Sequence, residues 1–104
     1  MKSNRDVIIR TSDVAAAKAF YHDVLGFPLT IDTEGLVGIE TGAFTLYVEP
    51  GADLAAVFEF DVEDVPATKE RLLAAGCEVI EEDPDLPRCY LRDRFGLLFN
   101  INQA

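Results

Sequence analysis

Asp6-Val-Ile-Ile-Arg-Thr-Ser-Asp-Val14 and Val57-Phe-Glu-Phe-Asp-Val-Glu-Asp-Val65 are one phrase written twice. Each opens on a strand-like run (Val7-Ile8-Ile9-Arg10; Phe58-Glu59-Phe60-Asp61) and closes on an aspartate followed by a valine. The offset is 51 residues from Asp13 to Asp64, and again from Lys18 to Lys69. One residue is lost by Gly26 and Gly76. Self-similarity at a fixed period signals a repeated supersecondary unit. The 104 residues therefore divide into a first module over about 6–49 and a second over about 57–101, within one domain.

Each copy predicts the same elements. Asp13 is placed to cap a helix whose apolar positions Val14, Ala17, Phe20, Tyr21, Val24 and Leu25 form one stripe, with Gly26 just past its end. Strands follow over 27–31, 36–40 and 44–48, separated by Asp32-Thr33-Glu34-Gly35 and Thr41-Gly42. In the second copy a helix over about 65–75 accepts Pro66 in its first turn, and strands follow over 77–81, 88–92 and 97–101. The fold class is α+β, in the order βαβββ, βαβββ. One helix covers only one face of four strands, so the other face must meet the second module, a partner subunit or a ligand. Two such sheets side by side predict a curved, eight-stranded cup with the helices outside.

Composition narrows the partners. A formal charge of −10 lacks the clustered Lys and Arg that nucleic acid or an anionic membrane requires. No apolar run approaches the ~18 residues of a membrane span, and the first residues carry no signal-like apolar segment, so a cytoplasmic protein is expected. Cys77 and Cys89 match no zinc pattern and are given no role.

Ala19-Phe-Tyr-His-Asp-Val-Leu-Gly-Phe27, together with the opening phrase and Asp93-Arg-Phe-Gly96 before the last strand, resembles the vicinal oxygen chelate superfamily. This is also called the glyoxalase/bleomycin-resistance/extradiol-dioxygenase superfamily. Arg94 stands where that family commonly has proline. The resemblance spans nearly the whole chain and implies the paired βαβββ fold and a homodimer. It also implies four metal-ligand positions, usually His, Glu or Gln, which fall here on Asp6, Thr45, Val57 and Asn100. Thr45 is matched to Asn100 through the phrases Phe44-Thr-Leu46 and Phe99-Asn-Ile101.

Coordination chemistry then argues against the metal. A catalytic divalent ion of this kind is held by at least three imidazole or carboxylate side chains with one position open. Val57 has no donor, Thr45 and Asn100 are weak neutral ones, and only Asp6 is a good ligand. The sole histidine, His22, lies off the apolar stripe and is expected in solvent near a helix C-terminus. No metal and no other cofactor is expected, and no catalytic residue is assigned.

The family's inward parity places Asp6, Ile8, Arg10, Ala43, Thr45, Tyr47, Val57, Glu59, Asp61, Leu98, Asn100 and Asn102 in the cup. The opposite parity, Val7, Ile9, Phe44, Leu46, Val48, Phe58, Phe60, Val62, Phe99 and Ile101, is wholly apolar and is expected under the helices. The candidate ligand-binding residues are Arg10, Thr45, Tyr47, Glu59, Asp61, Tyr90 and Asn100. Arg10 paired with Glu59 or Asp61 is the plainer reading; carboxylates and tyrosines facing a cationic aromatic ligand is the sharper one. The expected function is a metal-free small-molecule-binding protein that sequesters a cationic or aromatic compound. The alternative is a lyase, isomerase or dioxygenase-like enzyme with an atypical or metal-free site, using Glu59 or Asp61 as base.

Overall fold

The computed structural model describes residues 1–86 and 88–104. It contains two compact units that follow the repeat, Arg5–Ala56, and Val57–Ala104 together with Met1–Asn4. The first copy is built from β1 (Lys2–Thr11), α1 (Val14–Lys18) continued by a π-helical turn (Ala19–Val24), β2 (Leu29–Asp32), β3 (Val37–Glu40) and β4 (Thr45–Pro50). The second comprises β5 (Leu54–Val62), α2 (Val65–Ala74), β6 (Glu78–Asp83), β7 (Arg88–Arg92) and β8 (Leu98–Gln103). The strand order β2-β3-β4-β1 in the first copy recurs as β6-β7-β8-β5 in the second. In each, the first and last strands pair in parallel and the other pairs are antiparallel.

The repeat extends to single hydrogen bonds. Asp13 Oδ1 accepts from the Ala16 N–H and Asp64 Oδ1 from the Ala67 N–H, each at 3.0 Å. Both helices thereby satisfy one of the N-terminal amides that have no partner within the helix. The matched lysines each tie a helix to the edge strand. Lys18 Nζ lies 2.8 Å from Asp32 Oδ2, and Lys69 Nζ lies 2.7 Å from Glu82 Oε1. Both edge strands also slip register at the same place, between Leu29 and Ile31 and between Val79 and Glu81. Such a bulge bends a strand and adds local twist.

Each unit buries its own apolar cluster. Val7, Val37, Ile39, Leu46 and Val48 pack with Val14, Ala17 and Tyr21 in the first. In the second, Val62, Cys89, Leu91, Phe99 and Ile101 pack with Val65, Leu72 and Cys77. Two expectations about burial are corrected. Phe20, Val24 and Leu25 were placed in the buried stripe but are exposed, Val24 by 70%. α1 ends at Lys18, and the Leu25 N–H bonds to the Phe20 carbonyl, five residues back. A π turn takes more residues than an α turn, so a stripe spaced for 3.6 residues per turn drifts off the sheet after Tyr21. Phe44 and Phe58, expected under the helices, remain 37% and 39% exposed, and neither joins the apolar cluster of its unit.

The expected place of His22 is borne out. It is exposed, and its Nδ1 donates to the Phe27 carbonyl at 2.7 Å, satisfying an acceptor just past the helix. The cysteines remain thiols in this fold. Cys89 sits opposite Glu82, five residues beyond Cys77, which places the two roughly 16 Å apart along the strand and out of bridging range.

Candidate functional site

The second unit carries its polar residues on the sheet face opposite α2. Register aligns Glu59 with Asn100, Asn100 with Tyr90, and Tyr90 with Glu81, so one row crosses all four strands. Directly opposed residues in a sheet share a face. Glu59, Asn100 and Tyr90 are 5%, 3% and 1% exposed. Buried polar groups of this kind must be hydrogen-bonded.

Asn100 meets that demand with its whole side chain. The Cys89 backbone N–H donates to Asn100 Oδ1 at 2.7 Å. Asn100 Nδ2 donates to Glu59 Oε2 at 3.1 Å and to Asn102 Oδ1 at 2.9 Å. Asn102 Nδ2 donates in turn to Glu59 Oε2. Beside this network, Arg88 Nη1 donates to Glu81 Oε2 at 3.0 Å, and the Arg88 guanidinium lies over the Tyr90 ring, 5.2 Å from its centroid. That distance is within the range of a cation–π contact. Asp61 accepts from Asn4 Nδ2 at 3.0 Å and borders a cavity of about 470 Å³ at the start of α2.

In the first unit the corresponding row runs Ile8, Tyr47, Gly38, Ile31 and is almost wholly apolar. Its tyrosine lies on β4, whereas the second unit's lies on β7. Burial, then the nearby Asp6 and Glu40 carboxylates, push the Tyr47 phenol above its ordinary pKa. Thr45 is committed locally, its hydroxyl donating to Glu40 Oε2 at 3.1 Å. Arg5 holds the other oxygen of Glu40 at 2.6 Å, and with the Gly42 N–H keeps that carboxyl below the usual range. The Arg10 side chain runs along Gly51, whose φ is 150°, and a Cβ there would lie 2.5 Å from Arg10 Cδ.

Of the seven candidate ligand-binding residues, Glu59, Tyr90 and Asn100 form one row, with Asp61 two residues from Glu59 on the same face. Arg10, Thr45 and Tyr47 belong to the first unit. Asn102, Glu81 and Arg88 were absent from the candidate set. Asn102 was legible, being two residues from Asn100 on a strand, whereas the partners of Arg88 depend on the β6–β7 register.

The register also corrects one correspondence between the copies. Asp6 pairs with Thr45, and its counterpart Val57 pairs with Leu98. Thr45 therefore corresponds to Leu98, and Tyr47, opposite Ile8, corresponds to Asn100, opposite Glu59. The likeness of Phe44-Thr-Leu46 to Phe99-Asn-Ile101 misleads because both hairpins of the second copy are longer. The offset is 50 from Asp32 to Glu82, 52 from Val37 to Cys89 and 53 from Thr45 to Leu98.

Paired βαβββ units with matching caps, bulges and parallel first-to-last strands define an α+β protein of duplicated architecture. Residues 5–101 match the profile of the Glyoxalase/Bleomycin resistance protein/Dioxygenase superfamily, and the chain belongs to it. Among solved structures, a superfamily member from Vibrio splendidus 12B01 is 19% identical with a TM-score of 0.65, over 94% of this chain and 96% of that one. Hypothetical protein BH1468 from Bacillus halodurans C-125 is 14% identical with a TM-score of 0.66, over 99% and 94%. The Mn(II)-bound glyoxalase from Novosphingobium aromaticivorans is 23% identical with a TM-score of 0.61, over 98% of this chain and 38% of its own. At these identities the likeness establishes the fold. No curated protein matches this chain in sequence.

The residues at the superfamily's ligand positions do not suit a divalent ion. The first unit offers Asp6 with Tyr47, or with Thr45, whose hydroxyl is bonded to Glu40. The second offers Val57, a fully buried isopropyl group, and Asn100, whose amide is committed within the sheet. A stable site of this type needs three or more strong nitrogen or oxygen donors. Among the described residues no three His, Cys, Asp or Glu side chains gather at one point.

Proposed function

We propose that this chain is a small-molecule-binding member of the superfamily that works without the superfamily's metal ion. The second unit's polar row is its recognition surface. One observation carries the reading: Glu59 and Tyr90, a carboxylate and an aromatic ring, lie in one row across β5, β8 and β7, with Asn100 between them. Both side chains are buried in the free chain, so a cationic or hydrogen-bond-donating aromatic ligand takes this place by displacing the groups that cover the row, the Arg88 guanidinium over Tyr90 among them. The formal charge of −10 favours the approach of cations over anions. Asp61 is a further proposed contact in the same unit; Arg10, Thr45 and Tyr47 are proposed as contacts of the first unit by itself. The protein acts as a cytoplasmic homodimer in this reading.

The second reading, a metal-free enzyme of lyase, isomerase or dioxygenase-like type, draws on the same buried carboxylate as a general base. A thermal-shift screen of cationic aromatics against α-keto and thioester metabolites separates the two, because a ligand of the native state raises the melting temperature by mass action. Stabilisation by cationic aromatics that remain chemically unchanged supports binding. Turnover of a metabolite that is abolished in Glu59→Gln replaces binding with catalysis. Metal analysis of the purified protein is expected to find no stoichiometric divalent ion; one that is lost in Asp6→Ala overturns the metal-free reading.

A further inference from the structure

Thr68 on α2 is buried, at 5% exposure, yet its hydroxyl has no hydrogen-bond partner among the described residues. The other buried polar residues, Glu59 and Asn100, bond to each other. Among the described residues no side-chain nitrogen or oxygen that is shut off from solvent lacks a partner, so the Thr68 hydroxyl opens onto free space. That space is the cavity of about 470 Å³ at the start of α2, which Thr68 lines. The whole lining belongs to the second unit.

The chain's unengaged charges gather at the same place. Arg5, Lys18, Lys69, Arg88 and Arg92 each hold a carboxylate, Arg94 lies over the Phe95 ring, and Arg10 is engaged as well. Lys2 and Arg71 alone make no ion pair, although the chain has 19 acidic residues for 9 basic ones. Both line this cavity. Asp61, Glu63 and Asp64 line it too, and none of them neutralises either cation. Asp61 Oδ1 accepts from Asn4, Asp64 Oδ1 caps α2, and the Glu63 carboxylate has no partner. A lone anion entering here meets three carboxylates, and a lone cation meets Lys2 and Arg71. A ligand that carries both signs complements both.

We propose that this cavity binds a small zwitterion, a free amino acid or short peptide, with its carboxylate on Arg71, Lys2 and the Thr68 hydroxyl and its ammonium on Glu63. A guanidinium and a hydroxyl are suitable donors to a carboxylate, and the volume is that of a small-molecule pocket. The site uses none of Glu59, Tyr90 or Asn100, so it stands or falls separately from the polar row.

The test follows backbone amide signals of the isotopically labelled intact chain by NMR during titration with alanyl-alanine. Its N-acetyl derivative keeps only the carboxylate, and its amide keeps only the ammonium. Alanyl-alanine is expected to move the signals of Glu63, Thr68 and Arg71, and each single-charge analogue to bind about tenfold more weakly. Arg71→Gln weakens alanyl-alanine about tenfold, the loss of one hydrogen bond to a charged group. Thr68→Val, nearly the same shape, also weakens it while the melting temperature holds or rises, because the hydroxyl it removes has no partner in the free chain. Free alanine, run beside the dipeptide, tells an amino acid from a peptide by which binds more tightly.

Equal binding of the N-acetyl derivative makes this an anion site and overturns the role of Glu63. Equal binding of the amide overturns the role of Lys2 and Arg71. Signals that move only elsewhere, or none at millimolar concentration, overturn the site itself. A Thr68→Val chain that melts several degrees lower and binds unchanged returns the hydroxyl to a structural role.

Discussion

Asn100 is where the account is most exposed to a single substitution. Asn100→Leu keeps the branched shape but leaves the Cys89 N–H without its acceptor and removes one of the donors to Glu59, in a region only 3–5% exposed. The expected loss is about 2–4 kcal/mol in urea denaturation, the range for stranding buried hydrogen-bonding groups. A loss within experimental error shows that the network does not hold the sheet. Glu59 and Asn100 were readable from strand parity, which depends only on the two-residue period, and Tyr90 only as an aromatic residue on a neighbouring strand. The counterpart of Asn100 was not. Phrase similarity chose Thr45, and the register that selects Tyr47 depends on hairpin lengths with no signature of their own.

The helices make separate claims. Replacing Asp13 or Asp64 with alanine removes equivalent caps, and each change is expected to cost about 1 kcal/mol. An effect at one and none at the other breaks the repeat at that level. Past Lys18, Val24→Ser and Leu25→Ser are expected to stay within about 0.5 kcal/mol, while Tyr21→Ala, against the core, costs about 2 kcal/mol or more. The reverse order restores the unbroken α-helical stripe. Caps, glycines and strand alternation could be read from residue type because each acts through local chemistry. The π turn could not, since period 3.6 was assumed beyond Lys18.

The helix-to-strand ion pairs give this scale its pH dependence. Lys69 holds the Glu82 carboxyl below its ordinary value, and Glu82 raises Lys69. Arg5 acts likewise on Glu40. A depressed carboxyl contributes stability that is complete above its unfolded pKa and is lost as pH falls through the folded one. Melting temperature should therefore fall below about pH 4, and Glu82→Gln should flatten that fall. Lys69 contributes on the other side, fully present below the ordinary lysine value and lost as pH rises beyond about 10.5. An acid limb unchanged in Glu82→Gln contradicts the pairing.

Over the whole molecule, the duplicated architecture was legible because the repeat recurs in caps, lysines and glycines at nearly constant spacing. The superfamily profile spans the same residues. A sequence can show that the usual ligand positions hold Asp, Val and Asn, but not that the Asn100 amide is turned to the backbone and to Glu59. That outcome depends on a bond to a main-chain N–H on another strand. The proposed homodimer predicts a sedimentation coefficient of two chains at micromolar concentration, and a sharp monomer peak refutes it.

The most direct measurement compares ligand-induced thermal shifts of the wild type and Glu59→Gln across a panel of cationic aromatic compounds, in chelator-treated buffer. At least one compound is expected to raise the wild-type melting temperature without added metal, and Glu59→Gln, still folded by circular dichroism, is expected to lose the shift. A shift that survives in Glu59→Gln, or that appears only when a divalent ion is supplied, contradicts the proposed function.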